Sequence, residues 1–275
     1  MNPTDIIYIA HGLERTRRRT FYSLLSFLQV HAGDSAWFSP HVFTDVPEDF
    51  AALEGRCEIH GLSQADLAAW VGDAGEYQNI AKLHILAGRT RSFVFLDSDT
   101  LVLRPMRSLA EKIGPDTSLM QVREYKLGQR KEFAELVRRG AEFGVSGETW
   151  MYNSGLLGVH DSNVPLLNEA LALATKLRVE NLARTAEQLA DGICLSRRCK
   201  IVTAEDAILH YWQDKDSLDD RLDARFASIT DKQAVADCIS GNGGSFFNIG
   251  LYGTATGFAW MMRWKMLLEM ISRKS

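Results

Sequence analysis

Short apolar runs alternate with amphipathic stretches along the first hundred residues. Runs rich in β-forming residues predict buried strands at residues 6–10, 41–45, 57–60 and 93–96. Apolar residues at helical spacing predict helices at residues 21–28 and 76–87, with a short helix or loop at 66–74. Strands that alternate with helices favour an α/β fold with a mainly parallel, twisted sheet flanked by helices.

The alternation is less regular after Pro105. Strands are predicted at residues 118–122, 150–159 and 200–202, and helices at 109–113, 133–139, 164–177 and 184–197. Gly155, inside the strand pattern at 150–159, indicates a bulge or a close backbone approach, with a hairpin turn as the alternative.

Two predicted helices have an apolar face with polar residues beside it. In the helix at 76–87 the apolar face consists of Ile80, Leu83, His84 and Ala87, and Lys82 lies off it. In the helix at 184–197 the inward residues are Ala186, Leu189, Ala190 and Ile193. Glu187 and Gln188 lie off that face, and Glu187 and Asp191 lie one turn apart on the polar side.

Composition fits one large domain. The chain has 275 residues, of which 46% are hydrophobic, and we expect a single domain over residues 1–257, with halves at 1–105 and 106–257. A net charge of −4 gives no reason to expect nucleic acid as a partner. Four scattered cysteines, without a signal sequence or a run of membrane-spanning length, favour the cytoplasm.

The last predicted helix, at residues 258–275, is rich in tryptophan, methionine and basic residues. Such a helix either docks on the core or lies on the surface of anionic lipid. The second possibility predicts a peripheral membrane contact.

Two acids separated by one residue follow the strand at 93–96. Side chains alternate along an extended chain, so Asp97 and Asp99 are expected to point the same way, with Ser98 opposite. Two neighbouring carboxylates at the end of a buried strand repel each other and favour a cation between them. A divalent metal that also binds phosphate oxygens would remove that repulsion. The alternative is a pair of acids in an ordinary turn.

Other polar residues are ambiguous by themselves. The arginine cluster after the first strand suits phosphate or an acidic partner, but it is also typical of a solvated helix start; it consists of Arg15, Arg17, Arg18 and Arg19. His210, in the apolar segment 207–212, is more typical of a core histidine than of a metal ligand.

Taken together and in order, these features resemble the GT-A glycosyltransferases, with a layout closest to the family 8 retaining enzymes. The resemblance covers residues 5–215 and rests on the first strand–loop–helix, the helix with Lys82, Phe-Leu-Asp-Ser-Asp, Tyr-Asn-Ser-Gly-Leu-Leu-Gly, and Glu187-Gln188 followed by His210. It implies a nucleotide-sugar donor such as UDP-hexose and a glycan or other polar acceptor. It also implies Mn²⁺ or Mg²⁺ bound by Asp97, Asp99 and His210. The expected cytoplasmic location and the basic final helix favour a role in polysaccharide biosynthesis.

The resemblance also implies roles for the remaining site residues. Ala10 and His11 would line the base and ribose, and Lys82 and Ser98 would meet the donor near the metal. Lys215 would meet the β-phosphate, although the glycine that usually precedes such a lysine is absent. The residues expected to contact the transferred sugar are Asn153, Glu187 and Gln188.

The stereochemistry of transfer stays open at this point. Without an evident nucleophile, retention would proceed by front-side attack, whereas an inverting enzyme could use Asp191 or Glu187 as its base. Residues 123–148 depart from the α/β alternation and are the expected acceptor-side insertion.

Three other functions compete with this hypothesis. A haloacid-dehalogenase-type phosphohydrolase also has Asp-x-Asp after a strand, but Leu101 stands where its Thr or Val is expected. A sugar nucleotidyltransferase should carry a glycine-rich loop after the first strand, and His11-Gly12-Leu13-Glu14 does not supply one. A non-catalytic GT-A scaffold would only bind a sugar or a partner.

Overall fold

The computed structural model describes residues 3–34, 36–71, 79–212 and 215–240. The strands within these residues are β1 (Thr4–Ala10), β2 (Phe38–Thr44), β3 (Glu58–Gly61), β4 (Phe93–Leu96), β5 (Thr100–Val102), β6 (Thr117–Lys126), β7 (Trp150–Val159), β8 (Lys200–Thr203) and β9 (Ile208–His210). The α-helices are α1 (Glu14–Val30), α2 (Gln64–Val71), α3 (Asn79–Ala87), α4 (Arg107–Ala110), α5 (Ala134–Arg138), α6 (Gly140–Phe143), α7 (Pro165–Val179), α8 (Ala186–Ser196), α9 (Lys215–Phe226) and α10 (Lys232–Ser240). Short 3₁₀ helices span Pro47–Leu53, Leu127–Gln129, Lys131–Phe133 and Asp161–Asn163.

The main sheet has seven strands in the order β3-β2-β1-β4-β7-β6-β8. Strands β3, β2, β1 and β4 run parallel, and so do β6 and β8, whereas β7 is antiparallel to both of its neighbours. The predicted mainly parallel α/β sheet is therefore confirmed. Strands β5 and β9 pair outside it, as a separate antiparallel sheet of two strands.

Helices cover both faces of the sheet because the central strands are apolar on both. On one face Ile6, Tyr8 and Val94 belong to a core that includes residues of α1, α9 and α10. On the other face Ile7, Phe93 and Phe95 pack with residues of α3 and α7. Burial of such a side chain contributes about 1.5–3 kcal/mol each, so the run Phe93–Leu96 anchors the centre of the sheet.

Helices α3 and α8 are more deeply buried than their sequence patterns predict. Lys82 of α3, expected off the apolar face, is 7% exposed. Glu187 and Asp191, expected on the polar side of α8, are 6% and 0% exposed. That part of the prediction was wrong because α8 packs on α7, on β7 and on α3 and therefore has no wide solvent face.

Strand β7 is continuous through Asn153-Ser154-Gly155, so the hairpin alternative was wrong. The helix predicted at 133–139 is α5, and α6 follows it. Residues 123–126, the start of the expected acceptor-side insertion, belong to β6.

Several predictions concern residues outside the described ranges. These are the helix at 258–275 with its possible lipid contact, the domain limit at 257, and the first turn of the helix predicted at 76–87. Among the described helices, none is both long and apolar enough to cross a membrane. The cytoplasmic location stays a prediction.

A candidate metal and donor site at the end of β4

The Asp97-Ser98-Asp99 segment is a turn between two sheets. Strand β4 ends at Leu96, the Ser98 N–H donates to Asp97 Oδ1 at 3.1 Å, and the Thr100 hydroxyl donates to the Asp97 carbonyl at 2.7 Å. The expected alternation along an extended strand was therefore wrong. The turn alternative describes the backbone, but the two carboxylates nevertheless belong to one cluster.

Pairing of β5 with β9 adds His210 to this cluster. Thr100 lies opposite His210 in the antiparallel register, and the Tyr211 N–H donates to the Asp99 carbonyl at 3.0 Å. As a result His210 Nε2 lies 3.2 Å from Asp99 Oδ1, although the two residues are far apart in the sequence.

The other ring nitrogen of His210 faces two carbonyl oxygens. His210 Nδ1 lies 2.7 Å from Gln121 Oε1 and 3.0 Å from Asn153 Oδ1. Asn153 is itself held, since its amide donates to Glu124 at 3.0 Å and its carbonyl accepts the Gly155 N–H at 2.8 Å. Two acceptors at Nδ1 keep a proton on that nitrogen, so Nε2, which faces Asp99, is the nitrogen that a metal would take in place of the Nε2 proton.

Gly155 is required by this arrangement. A Cβ at this position would lie 2.4 Å from His210 Nδ1 and 2.7 Å from Gln121 Oε1, closer than real Cβ atoms approach. The glycine within the strand therefore marks the close approach of the histidine ring, as the sequence indicated.

Asp99 is almost fully buried and has basic partners at both oxygens. Lys215 Nζ, from the first turn of α9, lies 2.6 Å from Asp99 Oδ2. Burial by itself would raise the pKa of Asp99, but the hydrogen bond from His210 and the charges of His210 and Lys215 outweigh it and lower that pKa. The Asp99 carboxylate is thus ionised and available as a ligand.

Glu124 of β6 extends the site toward α8. Besides Asn153, it accepts a hydrogen bond from the Gln188 amide at 3.4 Å. Burial raises the pKa of the Glu124 carboxyl, and the hydrogen bonds from Asn153 and Gln188 oppose that effect. This chain of contacts connects Gln188 to the metal cluster through Asn153 and His210.

Lys82 and two buried acids lie behind β7. Lys82 Nζ donates to the Ser154 hydroxyl at 2.9 Å and to the Ser154 carbonyl at 3.3 Å, and it lies 4.4 Å from the centre of the Phe95 ring. Burial raises the pKa of Asp191 to about 7, against the opposing charge of Lys82. Burial likewise raises the pKa of Glu187 to about 7, and Glu187 accepts a 3.4 Å hydrogen bond from Asn79.

Ala10 and His11 lie at the carboxyl end of β1, which pairs in parallel with β4. That register places them beside the turn of Asp97, at the edge of the sheet where parallel strands present their ligand sites.

Three members of the arginine cluster after β1 meet acidic partners within the chain, so the alternative of a solvated helix start was wrong for them. Arg17 pairs with Asp49, Arg18 with Asp223, and Arg19 with Asp219, so α1 is joined to neighbouring elements.

Gln121 and Glu124 are the contacts that sequence reasoning missed. Both lie on β6, and the only signal in the sequence was polar residues within an otherwise strand-like stretch. Their register against β7, where Val122 pairs with Asn153 across a bulge, brings them to the cluster.

The cluster has a donor set that fits a divalent metal. Asp97, Asp99 and His210 each offer one ligand atom, and these atoms all lie within 4.8 Å of one another. Two carboxylates with one oriented imidazole suit a first-row divalent ion. The three residues predicted as metal ligands are thus brought together by the fold.

No family model matches the chain, and no curated protein matches it. Among solved structures it is similar to mouse xyloside xylosyltransferase 1, with 15% identity and a TM-score of 0.48 over 85% of this chain and 94% of that one. It is also similar to an active-site mutant of LgtC, with 14% identity and a TM-score of 0.46 over 73% of this chain and 72% of that one. The glycosyltransferase GlyE of Streptococcus pneumoniae TIGR4 has 12% identity and a TM-score of 0.47 over 74% of this chain.

This chain spans 45% of the GlyE chain, less than half of its length. Two of these structures are described as a glycosyltransferase and a xylosyltransferase. The link of this chain to family 8 in particular stays a prediction. At these identities and TM-scores the likeness by itself establishes neither donor nor acceptor, so function is inferred below from the residues of the site.

Proposed function

We propose that this chain is a metal-dependent glycosyltransferase that moves a sugar, such as the hexose of UDP-hexose, from a nucleoside diphosphate to a glycan or other polar acceptor. The observation that carries the proposal is the cluster of Asp97, Asp99 and His210, with the His210 Nε2 turned toward Asp99. Two carbonyl oxygens hold the other ring nitrogen of His210 and so fix the orientation of the ring. An ion pair with Asp99 alone would not require a fixed ring orientation, whereas a metal ligand does.

In this proposal Asp97, Asp99 and His210 hold Mn²⁺ or Mg²⁺. When bound, the ion would neutralise charge that develops on the departing diphosphate. Lys215, whose ammonium already lies at Asp99, is placed to donate to a phosphate oxygen in the same region. Ala10 and His11, at the neighbouring strand end, would line the base and ribose, and Ser98 would meet the donor from the turn.

The sugar side of the site would be formed by Asn153, Gln188 and Glu124. Glu124 joins the other two through hydrogen bonds of 3.0 and 3.4 Å, so the three would present a connected set of donors and acceptors to sugar hydroxyls. Residues 123–148 would contribute the acceptor side.

Lys82, Glu187 and Asp191 have a supporting role in this proposal. Asp191 is fully buried and therefore cannot reach an acceptor as a base. Lys82 donates to Ser154, next to Asn153, so its contact positions β7 rather than the donor. The lack of an exposed base on α8 favours retention by front-side attack.

The test is thermal unfolding of the full chain with UDP, with Mn²⁺, and with both. At a UDP concentration about 100 times its Kd, the stabilisation is about 2.7 kcal/mol, which corresponds to a rise in Tm of roughly 5–10 °C. We expect this rise only when both ligands are present. Asp97→Asn should abolish it, whereas Asp116→Asn, at an exposed acid, should leave it unchanged.

Stabilisation by beryllium fluoride with Mg²⁺ in place of UDP with Mn²⁺ would contradict the proposal and favour the phosphohydrolase. Binding of UDP and Mn²⁺ without release of UDP from any UDP-sugar, with or without an acceptor glycan, would favour the non-catalytic scaffold.

A further inference from the structure

A second group of side chains with metal-ligand chemistry lies at the β3 edge of the main sheet. His41 is on β2, and Glu58 and His60 are on β3. The parallel register pairs His41 with Glu58 and Phe43 with His60. Because side chains alternate along a strand, His41, Glu58 and His60 lie on the same face of the sheet.

The three ligand atoms have the spacing of one face of a metal tetrahedron. His41 Nδ1 lies 3.0 Å from His60 Nε2 and 3.3 Å from Glu58 Oε2, and His60 Nε2 lies 3.8 Å from Glu58 Oε2. Tetrahedral zinc with bonds of about 2.0–2.1 Å places its ligand atoms about 3.3 Å apart. The observed distances bracket that value.

A carboxylate faces the far side of the His41 ring. His41 Nε2 lies 3.6 Å from Asp5 Oδ1, and it is buried without a hydrogen bond in the described part of the chain. Histidines that bind zinc through one nitrogen usually donate the other N–H to a carboxylate. Asp5 therefore directs Nδ1 of His41, and not Nε2, toward His60 and Glu58.

Glu58 is the anion that the cluster offers to a metal. Arg89 and Arg91 each form an ion pair with Asp5 at 3.1 Å, so the charge of Asp5 is already compensated. Glu58 lies beside both imidazoles and would offset part of the charge of a divalent ion. The buried side of the cluster is His41, while the side chains of His60 and Glu58 are 35% and 64% exposed, which gives an ion access from solvent.

We propose that His41, Glu58 and His60 bind a zinc ion, with the fourth position open to water. Strand β3 lies three positions from β4 in the sheet, about 14 Å at ordinary strand spacing, so this site is separate from the Asp97 cluster. The ion joins strand β3 to β2 and so protects a strand that, among the described residues, pairs on one side only.

The test measures Zn²⁺ itself on the full chain, independently of any transferase activity. In an Asp97→Asn background, which removes one ligand of the first cluster, calorimetric titration with ZnCl₂ should still give one ion per chain. Co²⁺ in its place should give the intense visible absorption of a tetrahedral site. His60→Gln should weaken Zn²⁺ binding by at least tenfold, and Glu58→Gln should also weaken it.

His160→Gln is the matched control, because His160 is also a partly exposed histidine next to a carboxylate, Asp161. It should leave Zn²⁺ binding unchanged. Absence of Zn²⁺ binding in the Asp97→Asn protein would overturn the proposal and leave a hydrogen-bonded histidine pair. Unaltered binding after His60→Gln would also overturn it. Neither outcome bears on the UDP and Mn²⁺ experiment, so the two proposals can fail separately.

Discussion

Burial of Asp191 makes the stability of the protein depend on pH. The pKa of this carboxyl rises from 3.8 to about 7 on folding, because burial disfavours the ionised form. The folded chain therefore binds the proton more tightly than the unfolded chain. Below the unfolded pKa the protonated Asp191 carboxyl contributes its full stabilisation of the folded state. This contribution falls as the pH rises toward about 7 and is lost above about pH 7.

A shift of about three pKa units corresponds to about 4 kcal/mol in total. Between about pH 5 and about pH 8, linkage assigns about 2.5 kcal/mol of that loss to Asp191. Asp191→Asn has nearly the same shape and does not titrate. We expect the free energy of unfolding of the variant to fall by about 2.5 kcal/mol less than that of the wild type across the same range.

Urea unfolding, followed by far-ultraviolet circular dichroism at several pH values, measures this difference. The quantity to compare is the slope of the free energy of unfolding against pH. The absolute free energy of unfolding is less informative, since it also changes when Lys82 loses a neighbouring charge. Glu187 titrates in the same direction in both proteins. Because the charge of Asp191 also raises the pKa of Glu187, Asp191→Asn reduces the pH dependence from Glu187 as well, which changes the slope in the same direction. Asp220→Asn, at an exposed position of α9, should keep the wild-type slope. The same slope in Asp191→Asn and wild type would refute the reasoning.

Three further predictions concern the residues around His210. Gly155→Ala should weaken Mn²⁺ binding by more than tenfold in calorimetry, because its Cβ would displace the His210 ring; Gly33→Ala, where a Cβ meets nothing within 4 Å, should not, and equal effects would contradict this account. Gln121→Ala should weaken Mn²⁺ binding by about 10–100-fold through loss of an acceptor at His210 Nδ1, and Gln121→Glu should restore most of it, so failure of that rescue would count against the orienting role. Glu124→Gln should lower the rate of sugar transfer while UDP affinity in titration changes little, and a loss of UDP affinity alone would place Glu124 elsewhere.

The centre of the fold was predictable because local sequence and global position agree there. A short run such as Phe93–Leu96 is apolar on both faces, which only a strand covered by helices on both sides can satisfy. Strands β1 to β4 and helices α3, α7 and α8 therefore lie close to where the pattern predicted them.

Helix burial was less predictable. Lys82, Glu187 and Asp191 look like solvent-facing residues in a helical pattern, yet all three are buried. Periodicity describes one apolar face of a helix, whereas α8 is enclosed by α7, α3 and β7. How many faces a helix buries depends on the elements that surround it, and these are distant in the sequence.

The sequence alone determined the type of chemistry at the first site. Asp-Ser-Asp after a buried strand indicated either a cation or an ordinary turn, and His210 was implied as a further ligand by the resemblance to GT-A glycosyltransferases. The two acids do face one cluster, as expected, but the backbone between them is a turn and not an extended strand. What brings Asp99 and His210 together is the pairing of β5 with β9.

Tertiary structure alone decided how the ligands are held. Gln121 orients His210 from a strand that no local motif marks, Glu124 connects Asn153 to Gln188, and His41 meets His60 across two strands of the sheet. Residue type and spacing indicate which atoms can bind a metal. Register and strand order decide which of those atoms meet, because an extended strand carries neighbouring side chains to opposite faces and pairing joins residues that are far apart in the chain.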